Sequence, residues 1–211
     1  MQIISTNAGS RREVEWKGKS LSTGIFKSPI DHIDIKKFEV VQDHVDDLKV
    51  HGGEYKAVYT YPLEHYDSWK KEFPNLDFNY GMFGENITTS GLLEENAKLG
   101  EVYKFGGAIL KVTQPRFPCM KLAMKFKEPL MVKKFLDSKM SGIYLTVIEE
   151  GSAKTGDNIE LLEDSRSITI KEFVTAHAAK QPDPETIKKF IDDPNMMDEW
   201  KNYFNSKLTR G

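Results

Sequence analysis

The chain has 211 residues, 30 Lys and Arg against 32 Asp and Glu, a formal net charge of -2, and one Cys. That length suits one domain with an appendage, the interspersed charge leaves no basic stripe for nucleic acid, and a lone Cys rules out an intramolecular disulfide framework and fits a reducing compartment. The opening residues lack the charged start and apolar stretch of a signal peptide, and no apolar run approaches the roughly 18 residues that span a bilayer, so the sequence predicts a soluble cytoplasmic protein with no membrane partner.

From Gln2 to about Glu163 the pattern is mostly that of short strands. β-Branched and aromatic residues concentrate at 2–5, 34–41, 56–61, 101–105, 108–113, 143–148 and 158–162, several alternating apolar with polar as half-buried strands do. Turns containing Gly52-Gly53, Gly106-Gly107, Gly151 and Gly156 separate them. Many short strands without regular strand–helix alternation predict a mainly β fold, a barrel or sandwich rather than a parallel sheet. Two helices interrupt the strands. In the first, at 62–73, Pro62 suits the opening turn and Leu63, Tyr66, Trp69 and Phe73 share a face. The second, shorter one covers 130–137. His65 and His177 read as helix surface residues.

Beyond Ser167 the periodicity is helical. Thr169 and Glu172 form a capping box for a helix to about Ala179, and Asp183-Pro184 opens a second helix to about Ile191. Asn195 is expected to cap a third, striped by Met197, Trp200, Phe204 and Leu208. Three such short helices cannot hold a core of their own and should pack on each other and on the strand-rich part. The predicted division is residues 1–165 and 166–211.

The chemistry concentrates on Gln114-Pro115-Arg116-Phe117-Pro118-Cys119-Met120-Lys121-Leu122, which follows the strand at 108–113. Two prolines fix φ and remove backbone donors, so Cys119 is expected on a stiff segment just past a strand end. Arg116 and Lys121 bring positive charge near the sulfur, which favours the thiolate, a nucleophile or soft-metal ligand. A lone cysteine is more commonly a small buried hydrophobe, and the loop alone leaves both readings open. His51 before Gly52-Gly53 fits either close backbone approach to a ligand or a hairpin turn with an incidental histidine. Gly81 to Ile87 either aims successive N–H groups into an anion-binding concavity or is a plain loop. Lys27 is able to meet a phosphate as a point charge. No His or Cys pair has the spacing of a zinc site.

Taken in order, Lys27-Ser-Pro29, Asp43, the segment 47–53 ending His51-Gly52-Gly53, Ala57-Val-Tyr59, the helix from Tyr61 to Trp69, Phe83-Gly-Glu-Asn86, Gly91-Leu92 and the cysteine loop resemble the MOSC domain, the family related to the C-terminal part of molybdenum cofactor sulfurases. The helical tail resembles the extension of the YiiM-like branch. Gln42, Val45 and Glu101 depart from the family pattern, none of them in the cysteine loop. The resemblance implies a MOSC-type β-barrel with a few peripheral helices and a small C-terminal three-helix domain. It implies a molybdenum-cofactor-dependent oxidoreductase that reduces N-hydroxylated compounds such as 6-N-hydroxylaminopurine, releasing the oxygen as water. Cys119 would be the metal ligand, with His51 and Arg116 catalytic beside it. Lys27, His51, Gly52, Gly53, Asn86, Arg116, Cys119 and Lys121 would bind the molybdopterin-type cofactor. With no dinucleotide fingerprint and no iron–sulfur cysteines in the sequence, electrons would come from a separate flavin or iron–sulfur protein. A homodimer is the base-rate expectation. Two other functions remain open: a sulfur carrier forming a Cys119 persulfide for metallosulfur cluster assembly, and a binding module with an inert cysteine.

Overall fold

The computed structural model describes residues 1–46 and 52–208. The main sheet has eight strands: β1 (Gln2–Ala8), β4 (Ser28–Ile30), β7 (Val58–Pro62), β8 (Ile87–Ser90), β9 (Val102–Phe105), β10 (Ala108–Pro115), β11 (Ile143–Glu149) and β13 (Ile159–Glu163). Its order is β13-β9-β10-β11-β7-β8-β1-β4, antiparallel except for β7 against β8. The sheet curls until its two sides meet. Gln2 bridges Asn158, the Ile3 N–H donates to the Asp157 carbonyl at 2.9 Å, and the Ile159 N–H donates to the Met1 carbonyl at 2.9 Å. These few backbone bonds join the two sides without a ladder, so the expected barrel is not fully closed, within a mainly β fold.

Two small sheets attach to it: the hairpin β2 (Arg12–Trp16) and β3 (Lys19–Thr23), and β12 (Gly151–Lys154) with β5 (His32–Lys36) and β6 (Glu39–Val40). The sequence reading missed the hairpin, whose signal was the alternation of Val14 and Trp16 with Glu13 and Glu15, diluted by the charged and hydroxyl residues of two short strands. Its turn was nonetheless legible: Lys17 and Gly18 have φ of 51° and 73°, the two positive values a tight two-residue hairpin turn requires. The single strand expected at 34–41 is instead β5 and β6 folded back on each other, with Ile35 opposite Val40.

Six α-helices lie among the described residues: α1 (Tyr66–Glu72), α2 (Met120–Phe126), α3 (Met131–Ser138), α4 (Ile170–Ala178), α5 (Pro184–Asp192) and α6 (Asp198–Leu208). None is long and apolar enough to cross a membrane. α1 follows a 3₁₀ turn at Leu63–His65 and buries Tyr66 and Trp69, as its stripe predicts. It packs with α2 and α3 around an aromatic cluster in which Phe83 stacks on Tyr61 at 4.2 Å. His65 is not a surface residue. It lies mostly buried with Nε2 2.7 Å from Glu94, whose other oxygen accepts the Gly142 N–H at 2.7 Å.

The capping box that opens α4 is complete: the Glu172 N–H donates to Thr169 Oγ1 at 3.0 Å, and the Thr169 N–H donates to Glu172 at 2.7 Å. Asp183 caps α5, with Pro184 in the first turn. Asn195 does not cap α6, which starts at Asp198. Its N–H donates to Asp193 instead, and its side chain lies against Gly100. Phe173, Phe190 and Phe204 from the three helices are fully buried in the same cluster as Ile3, Val58 and Leu110 of the barrel. We propose the boundary near residue 165 as a change of architecture within one continuous core.

Candidate functional site

Strand register gathers the site at one end of the barrel. Gln114 on β10 lies opposite Tyr144 on β11, Tyr144 opposite Tyr59 on β7, and Thr60 opposite Ile87 on β8, which faces Thr6 on β1. The ladder of β10 ends at Pro115, paired with Ile143, and the chain then turns through Arg116 to Pro118 into α2. Cys119 is the half-buried residue that opens this helix, so the stiff segment past a strand end is present. The helix itself escaped the sequence reading, although Leu122 and Phe126, four apart and both buried, were its signal.

At this end a cavity of about 210 Å³ is lined by Lys27, Gly52, Asn86, Arg116, Cys119 and Lys121, six of the eight residues singled out in the sequence. Gly53 is not in its wall. With φ 84° it precedes the 3₁₀ turn Glu54–Lys56, and that turn sets Lys56 in the wall. His51 lies outside the described residues. Sequence reasoning named Asp43 and Tyr59 as parts of the resemblance but not as site residues, and it missed His44, Asp46 and Tyr144. The two acids flanking a histidine within four residues were the available signal.

Asp43 organises the floor. Its carboxylate accepts from the Gly9 N–H at 2.9 Å, from Asn86 Nδ2 at 2.9 Å and from Lys27 Nζ at 2.6 Å, the last pair almost wholly buried. Asn86 Oδ1 in turn accepts the Tyr59 N–H at 3.2 Å. Lys27 and Asn86 are thus anchored before any ligand arrives. Beneath them the backbones touch: a Cβ on Gly24 would stand 1.9 Å from the His44 carbonyl oxygen, which no side chain tolerates. Asp46 plays the matching part on the other side, 3.2 Å from Lys121 Nζ and 3.0 Å from His44 Nε2, with Ser22 donating at 2.5 Å. Burial works against its charge, but the bonds from Ser22, His44 and Lys121 outweigh that and hold its pKa at about 2.

The concavity expected at Gly81–Ile87 exists, and its anion is the chain's own. The Gly81 and Phe83 N–H groups donate to the Glu85 carboxylate at 2.9 and 3.0 Å, and Thr88 and Tyr66 hydroxyls complete its shell. Glu85 is fully buried, so this N–H concavity is closed to external anions, while Gly84 and Asn86 of the same loop still face the cavity. Glu85→Gln turns an acceptor-only group into one whose amide faces existing donors. We expect it to cost about 2–4 kcal/mol of unfolding free energy in chemical denaturation, from the loss of bonds to a charged group and the donors left unpaired. Lys125 braces the same wall, donating to the Ile25 and Gly81 carbonyls at 2.9 and 2.7 Å. Burial, helped by the charges of Lys27 and Arg116 against the pull of Glu85, brings it down to about 7.

Arg116 differs from every other cation here. It is 7% exposed, its guanidinium lies over the rings of Tyr59 and Phe135 at 5.5 and 5.3 Å, and Nη1 has no hydrogen-bond partner. Among the described residues no carboxylate forms an ion pair with it. Burial disfavours its charge, yet Tyr59 and Cys119 beside it outweigh that and hold its pKa above the ordinary value. A buried cation with an unpaired donor, beside the only thiol, makes this cavity suited to an anion that also carries a soft metal.

A family model described as MOSC domain matches residues 47–160. The chain is 36% identical over 212 residues to the uncharacterized protein YflK of Bacillus subtilis, covering 99% of this chain and 95% of that one. It is 37% identical over 116 residues to a protein of Gibberella moniliformis named Reductase, covering 54% of this chain and 21% of that one. Its fold is similar to the crystal structure of YiiM from Geobacillus stearothermophilus, with TM-score 0.81, 29% identity and 98% of each chain covered.

Proposed function

Because this chain belongs to the MOSC domain family, we propose that it is a molybdenum-cofactor-dependent oxidoreductase that removes the oxygen of N-hydroxylated compounds, 6-N-hydroxylaminopurine among them. The observation that supports this best is Arg116, a buried guanidinium with an unpaired Nη1 in the wall that also holds Cys119. A pterin-based cofactor carries a phosphate and a sulfur-rich metal centre, so it answers both groups at once. Cys119 would ligate the metal through its thiolate, as a soft donor suits. Arg116 would take the anionic end, with Lys121 and Lys27 adding charge from their posts on Asp46 and Asp43.

When bound, the cofactor supplies the two-electron reduction that breaks the N–O bond. Release of the oxygen as water consumes two protons. His44 lines the cavity, its ring oriented by Asp46, and histidine is the side chain suited to delivering a proton near neutrality. The sequence holds no nucleotide fingerprint and no cysteine cluster, so a separate flavin or iron–sulfur protein would supply the electrons. The name Reductase carried by one relative agrees with this class of chemistry.

The test is metal and pterin content of protein made in a host able to synthesise the cofactor, followed by turnover of an N-hydroxylated purine with an artificial two-electron donor. Near-stoichiometric molybdenum and product amine are expected. Metal-free protein carrying a persulfide on Cys119 in the mass spectrum would overturn the reading in favour of sulfur transfer.

A further inference from the structure

No described residue of α4, α5 or α6 lines the cavity. The helices nevertheless grip the loop that carries the cysteine. Trp200 of α6 donates its Nε1–H to Gln114 Oε1 at 2.7 Å. Gln114 is 2% exposed, the last residue before Pro115, and sits at the root of the loop. Two residues before Cys119, the Phe117 ring lies 4.0 Å from the His177 ring of α4 and 5.1 Å from Trp200. His177 stacks in turn on Tyr203 at 5.1 Å. It is therefore no surface histidine: burial first, then the charges of Lys207 and Lys139, lower its pKa to about 4, and the stack stays uncharged at neutral pH.

From this we infer that the C-terminal helices are a brace for the cysteine loop, with Trp200, His177 and Phe117 as positioning residues that hold Cys119 beside Arg116. The physical reason lies in the loop itself. Pro115 and Pro118 stiffen it and deprive it of backbone donors, so it cannot tie itself to the sheet beyond Pro115. Arg116 is held on the barrel side by Tyr59 and Phe135, and side chains of the extension restrain the loop from the other side, at both the root and the middle. Rings supply area at low conformational cost, and the indole N–H satisfies a buried amide oxygen that would otherwise be left without a partner. The inference rests on Cys119 being the working group of the cavity but not on the identity of the cofactor.

The test uses the full-length, metal-free protein and reads the loop directly. Trp200→Phe keeps an aromatic ring there but removes the N–H together with the five-membered ring of the indole. Thr169→Ala weakens the same helical extension at its capping box without touching the loop. We expect amide hydrogen exchange in peptides spanning 114–122 to rise about tenfold in Trp200→Phe, and alkylation of Cys119 by iodoacetamide to speed up with it, as the loss of one buried hydrogen bond implies. In Thr169→Ala both should stay within about twofold of wild type. Phe117→Leu removes the stack on His177 and leaves the Gln114 bond, and should loosen the same peptides even if Trp200→Phe fails to fold. Equal changes in the Trp200 and Thr169 variants, or none in Phe117→Leu, would overturn the brace. Because no cofactor is present, failure here is distinct from failure of the proposed enzymatic reading.

Discussion

Cys119→Ser is expected to lose molybdenum and reductase turnover by at least about a hundredfold while the fold gains slightly in stability. The two effects have separate origins. A serine hydroxyl is a hard donor that stays protonated near neutral pH, so it cannot replace a thiolate on a soft, sulfur-rich metal centre. Cys119 also occupies the N-cap position of α2, with extended φ of -119° and ψ of 173° and no side-chain capping bond. Serine is one of the best residues at that position, and its oxygen can accept an N–H of the first turn, worth up to about 1 kcal/mol. Metal analysis and turnover measure the first effect, and thermal unfolding of the metal-free variant measures the second. A variant that keeps molybdenum and turnover would remove Cys119 from the site. One that unfolds would make the cysteine a packing residue, the commoner fate of a lone thiol.

Much of this was legible in the sequence, and the parts that were not share a cause. Strand alternation and the Thr169–Glu172 box exposed β7, β9, β10, β11 and α4 because each follows a local rule. The cysteine loop was legible because two prolines around an arginine leave the chain few other conformations. Asp43 and Asp46 were not recognised as parts of the site, since their meaning depends on Gly9, Ser22 and Lys121, which only the fold brings to them. The Gly81–Asn86 loop was read as a candidate anion site for the right reason, inward N–H groups, but which anion fills it is set by the Glu85 rotamer and not by composition. The two histidines were misread for a similar reason. A helical pattern assigns a face, whereas the partner that covers it, Glu94 for His65 and Phe117 for His177, lies far away in sequence.

Arg116→Met separates a binding residue from a structural one by the sign of its effect. Placing a guanidinium in the protein interior is costly without a carboxylate to offset it, and among the described residues Arg116 meets aromatic faces, the Tyr144 hydroxyl and the neighbouring thiol. Methionine fills a similar volume, keeps contact with the Tyr59 and Phe135 rings through its sulfur, and needs no hydrogen bond. The metal-free variant is therefore expected to be as stable as wild type or more so, by about 1 kcal/mol, even after the cation–π contacts are lost. Cofactor retention should fall in the opposite direction. Losing a charge-assisted bond to a phosphate costs about 2–3 kcal/mol, a 30- to 150-fold drop in affinity. The paired measurements are thermal unfolding of the metal-free protein and molybdenum retained after dialysis. A lower midpoint with unchanged retention would mean that the charge serves the fold, through Cys119 and the rings around it. A raised or unchanged midpoint with lost retention means that the protein keeps a buried cation, its Nη1 unbonded and no carboxylate paired with it among the described residues, because its charge is matched by the ligand.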